Sequence, residues 1–177
     1  MVSRGELIEH FGSDGVATAS EIKGLRSTSA ATDLELLRTV GIPLHVDRIL
    51  SLESGTPEAF SVFPVSTTDG DLDLLVLGSP SIKSAMRYLL DTKDGYVVLL
   101  DLESQQPALE VVNESLSNFM EYVYRIARYQ SFRENVAENG VAIADYKELL
   151  STYLVSMDSF AFAKTTNWWS MVFDRVL

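Results

Sequence analysis

Two histidines are the first residues of this chain that could bind a metal or act as a general base. His10 and His45 stand 35 positions apart, and neither has a second histidine four residues away, the spacing that a helical zinc site uses. We interpret both as structural or surface residues. No metal site is therefore expected.

A serine nucleophile would need a sharp turn between a strand and a helix. Gly78-Ser79-Pro80-Ser81 follows a β-rich run, but it lacks the second glycine of a nucleophile elbow and has proline directly after the serine. This segment predicts an ordinary turn. The sequence also lacks the two glycine-rich patterns that hold phosphate groups, G-x-x-x-x-G-K-[ST] and G-x-G-x-x-G.

Three aspartates share the alternate spacing of the first ligands in an EF-hand calcium loop. They are Asp69, Asp71 and Asp73, but the sixth and twelfth positions of such a loop are here Leu74 and Pro80 instead of glycine and glutamate. The segment is better explained as a strand leaving a turn. Its aspartates would then lie on a solvated face and the neighbouring leucines on the other face.

Arginines alternate with aromatic residues between positions 124 and 133, a combination that can stack on nucleic acid and neutralise it. Arg125, Arg128 and Arg133 nevertheless belong to a chain of net charge −11. We interpret them as the exposed side of a helix, on which Arg125 pairs with Glu121 four residues earlier. No direct contact with nucleic acid is expected.

The composition is that of a folded, acidic protein. Its 177 residues include 14 Lys+Arg and 25 Asp+Glu, and 46% are hydrophobic, which predicts one domain over residues 1–177 and excludes a basic nucleic-acid binder. The absence of cysteine excludes disulfide scaffolds, thiolate zinc sites and cysteine nucleophiles. Because the apolar runs are too short for a signal peptide or a membrane span, we expect a cytoplasmic protein without membrane contact.

The elements that position these residues begin with two short helices. Residues 3–11 have an amphipathic pattern that a pair of glycines ends. Thr32 is the expected cap of the second helix, with Glu35 as its reciprocal partner, and Gly41 ends that helix. Residues 1–33 thus form a helix and a surface connection.

Five β-rich runs follow, at residues 60–65, 72–77, 86–90, 96–100 and 108–112. Asp69-Gly70 joins the first two runs, and a turn-rich segment ending in Gly95 joins the third and fourth. Five consecutive strands favour a mainly antiparallel sheet. The expected fold class is α+β, with a sheet of about five strands packed against helices.

Three helices are predicted after the sheet. The first has apolar residues at helical spacing from Leu116 to Ala127, with Asn113 or Ser115 as its cap. The expected core positions of the second are Tyr146, Leu149, Leu150, Tyr153, Leu154 and Met157. The third follows Asn167 and contains Trp168 and Trp169, which point about 100° apart. One of them faces the core, and the other either packs at a helix edge or anchors a partner.

Several short motifs occur in an order that belongs to a known family. Residues 34–43, LELLRTVGIP, resemble its L-L-x-x-V-G-[IL]-P helix and stop, and Leu75-Val76-Leu77-Gly78 is similar to its strand ending in glycine. Residues 89–97 resemble its hairpin, and residues 113–119 its N-x-S-L-x-x-F helix opening. Asp158 and the two tryptophans suit its last helices. From Leu34 onward, the chain resembles the SUKH superfamily of bacterial immunity proteins, particularly its fourth family.

This resemblance implies an α+β antidote that binds and blocks a cognate toxin, often a nuclease or a nucleic-acid deaminase, without catalytic residues or cofactors. A negatively charged surface would complement the basic face with which such a toxin holds phosphates. Turns and sheet edges can present acidic side chains together, with an aromatic residue at the centre. The expected partner-binding residues are Asp69, Asp71, Asp73, Asp91, Asp94, Tyr96, Asp101, Glu103 and Glu110.

Two other functions stay open from the residues alone. A hydrolase built on carboxylates predicts a deep pocket that holds at least two carboxyl groups with raised pKa values. A scaffold or small-ligand module could use the same fold. A toxin antidote predicts instead a flat or shallow acidic surface. The sequence does not indicate an oligomeric state.

Overall fold

A five-stranded antiparallel sheet forms the centre of the structure. The structure, a computed structural model, describes residues 1–19, 22, 31–53, 55–56, 58–67, 70–103, 109–136 and 139–177. The strands of this sheet follow chain order, and each pairs antiparallel with the next. They are β5 (Val62–Thr67), β6 (Gly70–Gly78), β7 (Met86–Asp91), β8 (Val97–Asp101) and β9 (Leu109–Asn113).

The remaining elements come before or after the strands of this sheet in the chain. The helices are α1 (Arg4–Phe11), α2 (Ala31–Thr39), α3 (Leu116–Asn135), α4 (Gly140–Met157) and α5 (Trp168–Arg175). Four two-residue strands form two small ladders: β1 (Val16–Ala17) with β2 (Ile42–Pro43), and β3 (His45–Val46) with β4 (Leu50–Ser51). The prediction of an α+β fold with an antiparallel sheet of about five strands and packed helices is confirmed. No helix in the described ranges has the length and apolar character needed to cross a membrane.

The two faces of the sheet have different neighbours. Successive residues of a strand point to opposite faces. Leu75 and Leu90 therefore face the main core with residues of the helices, whereas Leu74 and Leu89 join a smaller apolar cluster on the other side. Among the described residues, this smaller cluster contains strand residues only. We call the face that carries Leu74, Leu89, Val98 and Leu100 the outer face.

The opposite face of the sheet, which carries Leu75 and Leu90 and which we call the inner face, is covered by two layers of helices. Residues of α3 such as Phe119, Tyr122 and Val123 are buried in the main core, and α4 packs on α3. Ser115 caps α3 by accepting a hydrogen bond from the Asn118 N–H (3.1 Å). Of the two predicted caps, Ser115 is thus the correct one.

Asn113 instead belongs to a buried polar network around Asp158. The Asp158 carboxylate accepts hydrogen bonds from the Asn113 side-chain amide (3.0 Å), the Glu114 N–H (2.9 Å) and the Ala161 N–H (3.3 Å). The Asn113 carbonyl oxygen accepts a hydrogen bond from the Trp169 indole (2.9 Å). These contacts join the end of β9, the start of α3, the end of α4 and the start of α5.

Gly78, at the end of β6, lies so close to β4 that no side chain fits at this position. Its φ is +129°, and a Cβ atom at this position would lie 2.7 Å from the Ser51 carbonyl oxygen. The next residue, Ser79, exchanges two backbone hydrogen bonds with Ser51 (2.7 and 2.9 Å). Glycine is required here both for its left-handed backbone and for its small size.

Three predictions about single helices are wrong, and in each case the observed start or packing of the helix explains the difference. Thr32 cannot be the cap of α2, because the helix already includes Ala31 and an N-cap has non-helical backbone. Glu121 does pair with Arg125 (2.7 Å), but it is fully buried and not on the outside of α3. In α4, Leu149 is 70% exposed and Tyr153 is also exposed, because this helix packs on α3 along a narrow stripe whose buried residues are Leu150 and Leu154.

Candidate functional site

The histidines have structural or surface positions. His10 is half-buried and packs edge-on against Phe11 and Tyr124, with ring centroids 4.6 and 5.9 Å away, and burial lowers its pKa. His45 is exposed. Within the described parts of the chain, no group of three or more His, Cys, Asp or Glu residues could hold a metal ion.

Ser79 does not form a nucleophile elbow. Its hydroxyl donates a hydrogen bond to the Ser81 carbonyl oxygen (2.8 Å), and its backbone bridges to Ser51. The prediction of a turn at this segment is confirmed, and the hydroxyl is buried inside it.

The predicted partner-binding residues lie at two opposite ends of the sheet. The β7–β8 turn and the start of β6 lie at the same end, because Leu74 pairs with Asp91. We call this the hairpin end. It carries Asp71, Asp73, Asp91, Asp94 and Tyr96.

The other predicted residues belong to the opposite end or lie outside the described residues. Asp101 pairs with Met86 at the far end of β8. Glu103 is two residues further along the chain, and Glu110 of β9 pairs with Leu99 of β8. Asp69 lies outside the described residues. The sheet therefore separates the predicted acidic residues into two groups.

At the hairpin end, some carboxylates are exposed and others belong to the fold. Asp91 is buried and accepts hydrogen bonds from the backbone N–H groups of Lys93 (2.8 Å) and Asp94 (3.2 Å), which shapes the turn. Asp73 is buried too, so the prediction of a solvated face is wrong for it, although it shares a face with Asp71 as predicted. Asp71, Asp94 and Tyr96 are exposed.

At the opposite end, Glu110 has a clear structural contact. Its Oε1 accepts a hydrogen bond of 2.7 Å from the Trp168 N–H, at the start of α5. Asp101 accepts a hydrogen bond from the Glu103 N–H (3.0 Å). Glu103 is exposed and is the carboxylate of this end that is most accessible to a partner.

The two tryptophans do not supply an exposed anchor. Trp169 is fully buried, and Trp168 packs edge-on against the buried Tyr88, with ring centroids 6.1 Å apart. Of the two alternatives for the second tryptophan, packing at a helix edge is the one observed. Tyr96 is the exposed aromatic residue among the predicted contacts.

Asp33 is an acidic residue of the hairpin end that sequence analysis missed. A Cβ atom at Gly95 would lie 3.3 Å from Asp33 Oδ2, so the first turn of α2 reaches the β7–β8 turn. Burial raises the pKa of this carboxyl group. The two residues are 62 positions apart in the chain, and no local pattern indicates their contact.

The outer face provides apolar surface beside these acidic groups. Its centre is buried, but Phe63 and Leu102 are 43% and 50% exposed. These two side chains, together with Leu89, Leu100 and the charged Arg87, line a cavity of about 200 Å³. Interfaces between proteins combine such an apolar centre with a polar rim.

The sheet is also the most acidic part of the sequence. Positions 58–113 contain nine acidic and three basic residues, a net charge of −6 within a chain of −11. A field of one sign steers an oppositely charged partner and speeds its association.

Comparison with known proteins identifies the family of this chain. The sequence model described as SUKH-4 immunity protein matches residues 2–175, a range that includes the N-terminal segment in which no motif was recognised. Neither the curated proteins nor the solved structures give a match. A match over nearly all of the 177 residues shows the family, and the chain belongs to the SUKH-4 immunity proteins.

Proposed function

We propose that this chain binds and blocks a cognate toxin that acts on nucleic acid, either a nuclease or a nucleic-acid deaminase. Membership of an immunity protein family implies a toxin as partner. The observation that carries the choice of toxin is the charge of −6 over positions 58–113. An enzyme that holds nucleic acid needs basic residues against the phosphates, and an acidic antidote complements that surface. We place the encounter in the cytoplasm, where such a toxin finds its substrate.

The contact surface in this proposal runs from the hairpin end across the outer face. Asp94 supplies exposed charge, Tyr96 supplies an exposed aromatic side chain, and Asp71 adds exposed charge at the same end from the inner side of β6. Phe63 and Leu102 supply the apolar centre, which is needed because exposed charge pairs alone contribute little to affinity. Asp73, Asp91 and Glu110 hold the sheet and its neighbours in place, and Asp101 and Glu103 extend the negative field at the opposite end.

Inhibition by binding, without catalysis, accounts for the carboxylates better than a hydrolase does. The cavity that includes both Glu53 and Glu58 measures about 70 Å³, and both side chains are exposed to water. Burial raises the pKa of the Asp33 carboxyl group, but this residue does not line that cavity. A carboxylate hydrolase needs its acid and its base in a deep, enclosed pocket, and the small cavity beside these exposed glutamates is not such a pocket.

Co-expression with the toxin domain encoded beside this chain tests the proposal. The wild-type chain is expected to restore survival, and the double variant Phe63→Glu with Leu102→Glu is expected to lose it. Each substitution puts a charge in the apolar centre, and the loss of one central anchor weakens binding by about 30-fold or more. Phe160→Glu, at an apolar residue that is 45% exposed and lies outside this surface, is the matched control. Continued killing with soluble wild-type protein would refute the proposed function, and rescue by the double variant would refute the proposed surface.

Association rates test the hairpin end separately. Asp94→Lys is expected to slow association with the purified toxin domain by roughly three- to tenfold at low salt, because electrostatic steering depends on charges near the contact. Asp174→Lys makes the same change in net charge at an exposed position of α5 and is expected to have a smaller effect. Stopped-flow measurements at two ionic strengths distinguish the variants. Equal rates for Asp94→Lys and Asp174→Lys would remove the hairpin end from the interface.

A further inference from the structure

Helix α4 carries an exposed and mainly apolar row of side chains, which we call the ridge. Val141, Asp145, Leu149 and Tyr153 are exposed and follow one another at four-residue spacing, which places them in one oblique row along the helix surface. Val141 and Leu149 are 73% and 70% exposed. Asp145 is the one charged member of this ridge.

A groove follows the ridge on the side of α3. It has a volume of about 280 Å³ and is lined by Arg125, Tyr146, Leu149, Leu150 and Tyr153. The Arg125 guanidinium lies 5.4 Å from the centroid of the Tyr153 ring. This surface is therefore largely apolar, and the cationic group at its edge is the Arg125 guanidinium, which also pairs with the buried Glu121 (2.7 Å).

The distribution of charge indicates what can cover this surface. Positions 58–114 contain ten acidic and three basic residues, a net charge of −7, whereas positions 115–177 contain seven acidic and six basic residues, a net charge of −1. Two molecules of net charge −11 repel each other most strongly through their sheets. The helical side, on which α4 is the outer layer over α3, is where two copies meet the least repulsion.

We propose that α4 forms the interface of a homodimer, in which two copies of the helix pack antiparallel about a two-fold axis near Leu149. Leu149 lies close to the middle of the helix, which runs from Gly140 to Met157. A two-fold axis at that point uses the same ridge on both copies, as an isologous interface requires. Packing of ridges at four-residue spacing is the commonest arrangement of helix pairs.

Charge complementarity supports the antiparallel arrangement. A two-fold axis at Leu149 brings Asp145 of one copy opposite Tyr153 of the other, because each is four residues from the axis. Arg125 lies over that Tyr153 ring, so the Asp145 carboxylate meets a guanidinium. The symmetry makes this contact twice. Each Leu149 also reaches the mouth of the groove of the other copy.

Sedimentation velocity of the full chain over a concentration series tests the homodimer. The wild-type chain is expected to dimerise with a Kd in the micromolar range, as a small interface of this kind does. Leu149→Glu places two facing carboxylates in the apolar interface and is expected to weaken the dimer by roughly 100-fold. Asp145→Arg puts an arginine against Arg125 and is expected to weaken it by about tenfold.

Leu102→Glu, on the outer face, is the matched control and is expected to leave the dimer unchanged. Circular dichroism of each variant establishes that it is folded. A wild-type chain that is monomeric at about 100 µM, well above a micromolar Kd, would overturn the proposal, and so would a dimer that survives Leu149→Glu or dissociates in Leu102→Glu. None of these outcomes involves the toxin, so the dimer and the proposed function fail or stand separately.

Discussion

Replacement of Asp158 by alanine is expected to lower the free energy of unfolding by about 3–5 kcal/mol. The side chain is buried, and its carboxylate accepts hydrogen bonds from Asn113, Glu114 and Ala161. The substitution removes the acceptor and leaves the Asn113 and Ala161 donors, which are buried, without this partner. A buried donor without a partner costs about 1–3 kcal/mol, so the two together account for the expected loss.

Urea unfolding followed by tryptophan fluorescence measures this loss. Trp169 donates to the Asn113 carbonyl oxygen, so its environment reports on the network directly. Asp174→Ala removes an exposed carboxylate from α5 and is expected to change the free energy of unfolding by less than about 0.5 kcal/mol. A loss below about 1 kcal/mol for Asp158→Ala would show that the network does not hold the helices to the sheet.

Replacement of Arg125 by alanine is expected to lower the free energy of unfolding by about 2–4 kcal/mol. Arg125 Nε lies 2.7 Å from Oε1 of the fully buried Glu121, and its loss leaves a carboxylate without its closest cation. The Tyr153 hydroxyl (3.2 Å) and the Met1 ammonium (3.6 Å) contact the same carboxylate. Because Arg125 is itself 31% exposed, water screens part of the pair, and the expected loss is below that of a fully buried ion pair.

Two further variants separate the charge from the packing of this site. Arg128→Ala removes an exposed arginine from the same helix that also lies over Tyr124, and it is expected to cost less than about 0.5 kcal/mol. The double variant Glu121→Leu with Arg125→Met removes both charges and is expected to recover most of the loss, since apolar replacements of a buried pair are often neutral. Thermal or urea unfolding of all three proteins provides the comparison. A double variant as unstable as Arg125→Ala would show that packing, and not the unpaired carboxylate, causes the loss.

The motifs that resemble the family have structural explanations in this fold. Asn113 and Asp158 meet in one buried network, and Gly78 lets the end of β6 approach β4. None of these residues is exposed to a partner. The motifs therefore identify the scaffold of the family, whereas the proposed contacts are the exposed residues of the hairpin end and the outer face.

The order and type of the helices and of the five strands of the sheet could be predicted from the sequence because local chemistry determines them, whereas the two-residue strands β1–β4 were not predicted. Ser115 caps α3, and glycine-containing turns join the strands into hairpins. Each of these features involves residues within a few positions of one another. Apolar periodicity likewise identified α3 and the strands, because it reflects the burial of one side of an element.

Only the tertiary structure decided which surfaces are free. Local patterns do not distinguish the buried Glu121, the buried Asp73 or the exposed Leu149 from their neighbours in the chain. Whether each of them is buried depends on which other elements pack against it. The acidic residues that the sequence grouped as one contact surface lie at two ends of the sheet for the same reason. Burial depends on which elements become neighbours, and periodicity within one element contains no information about its neighbours.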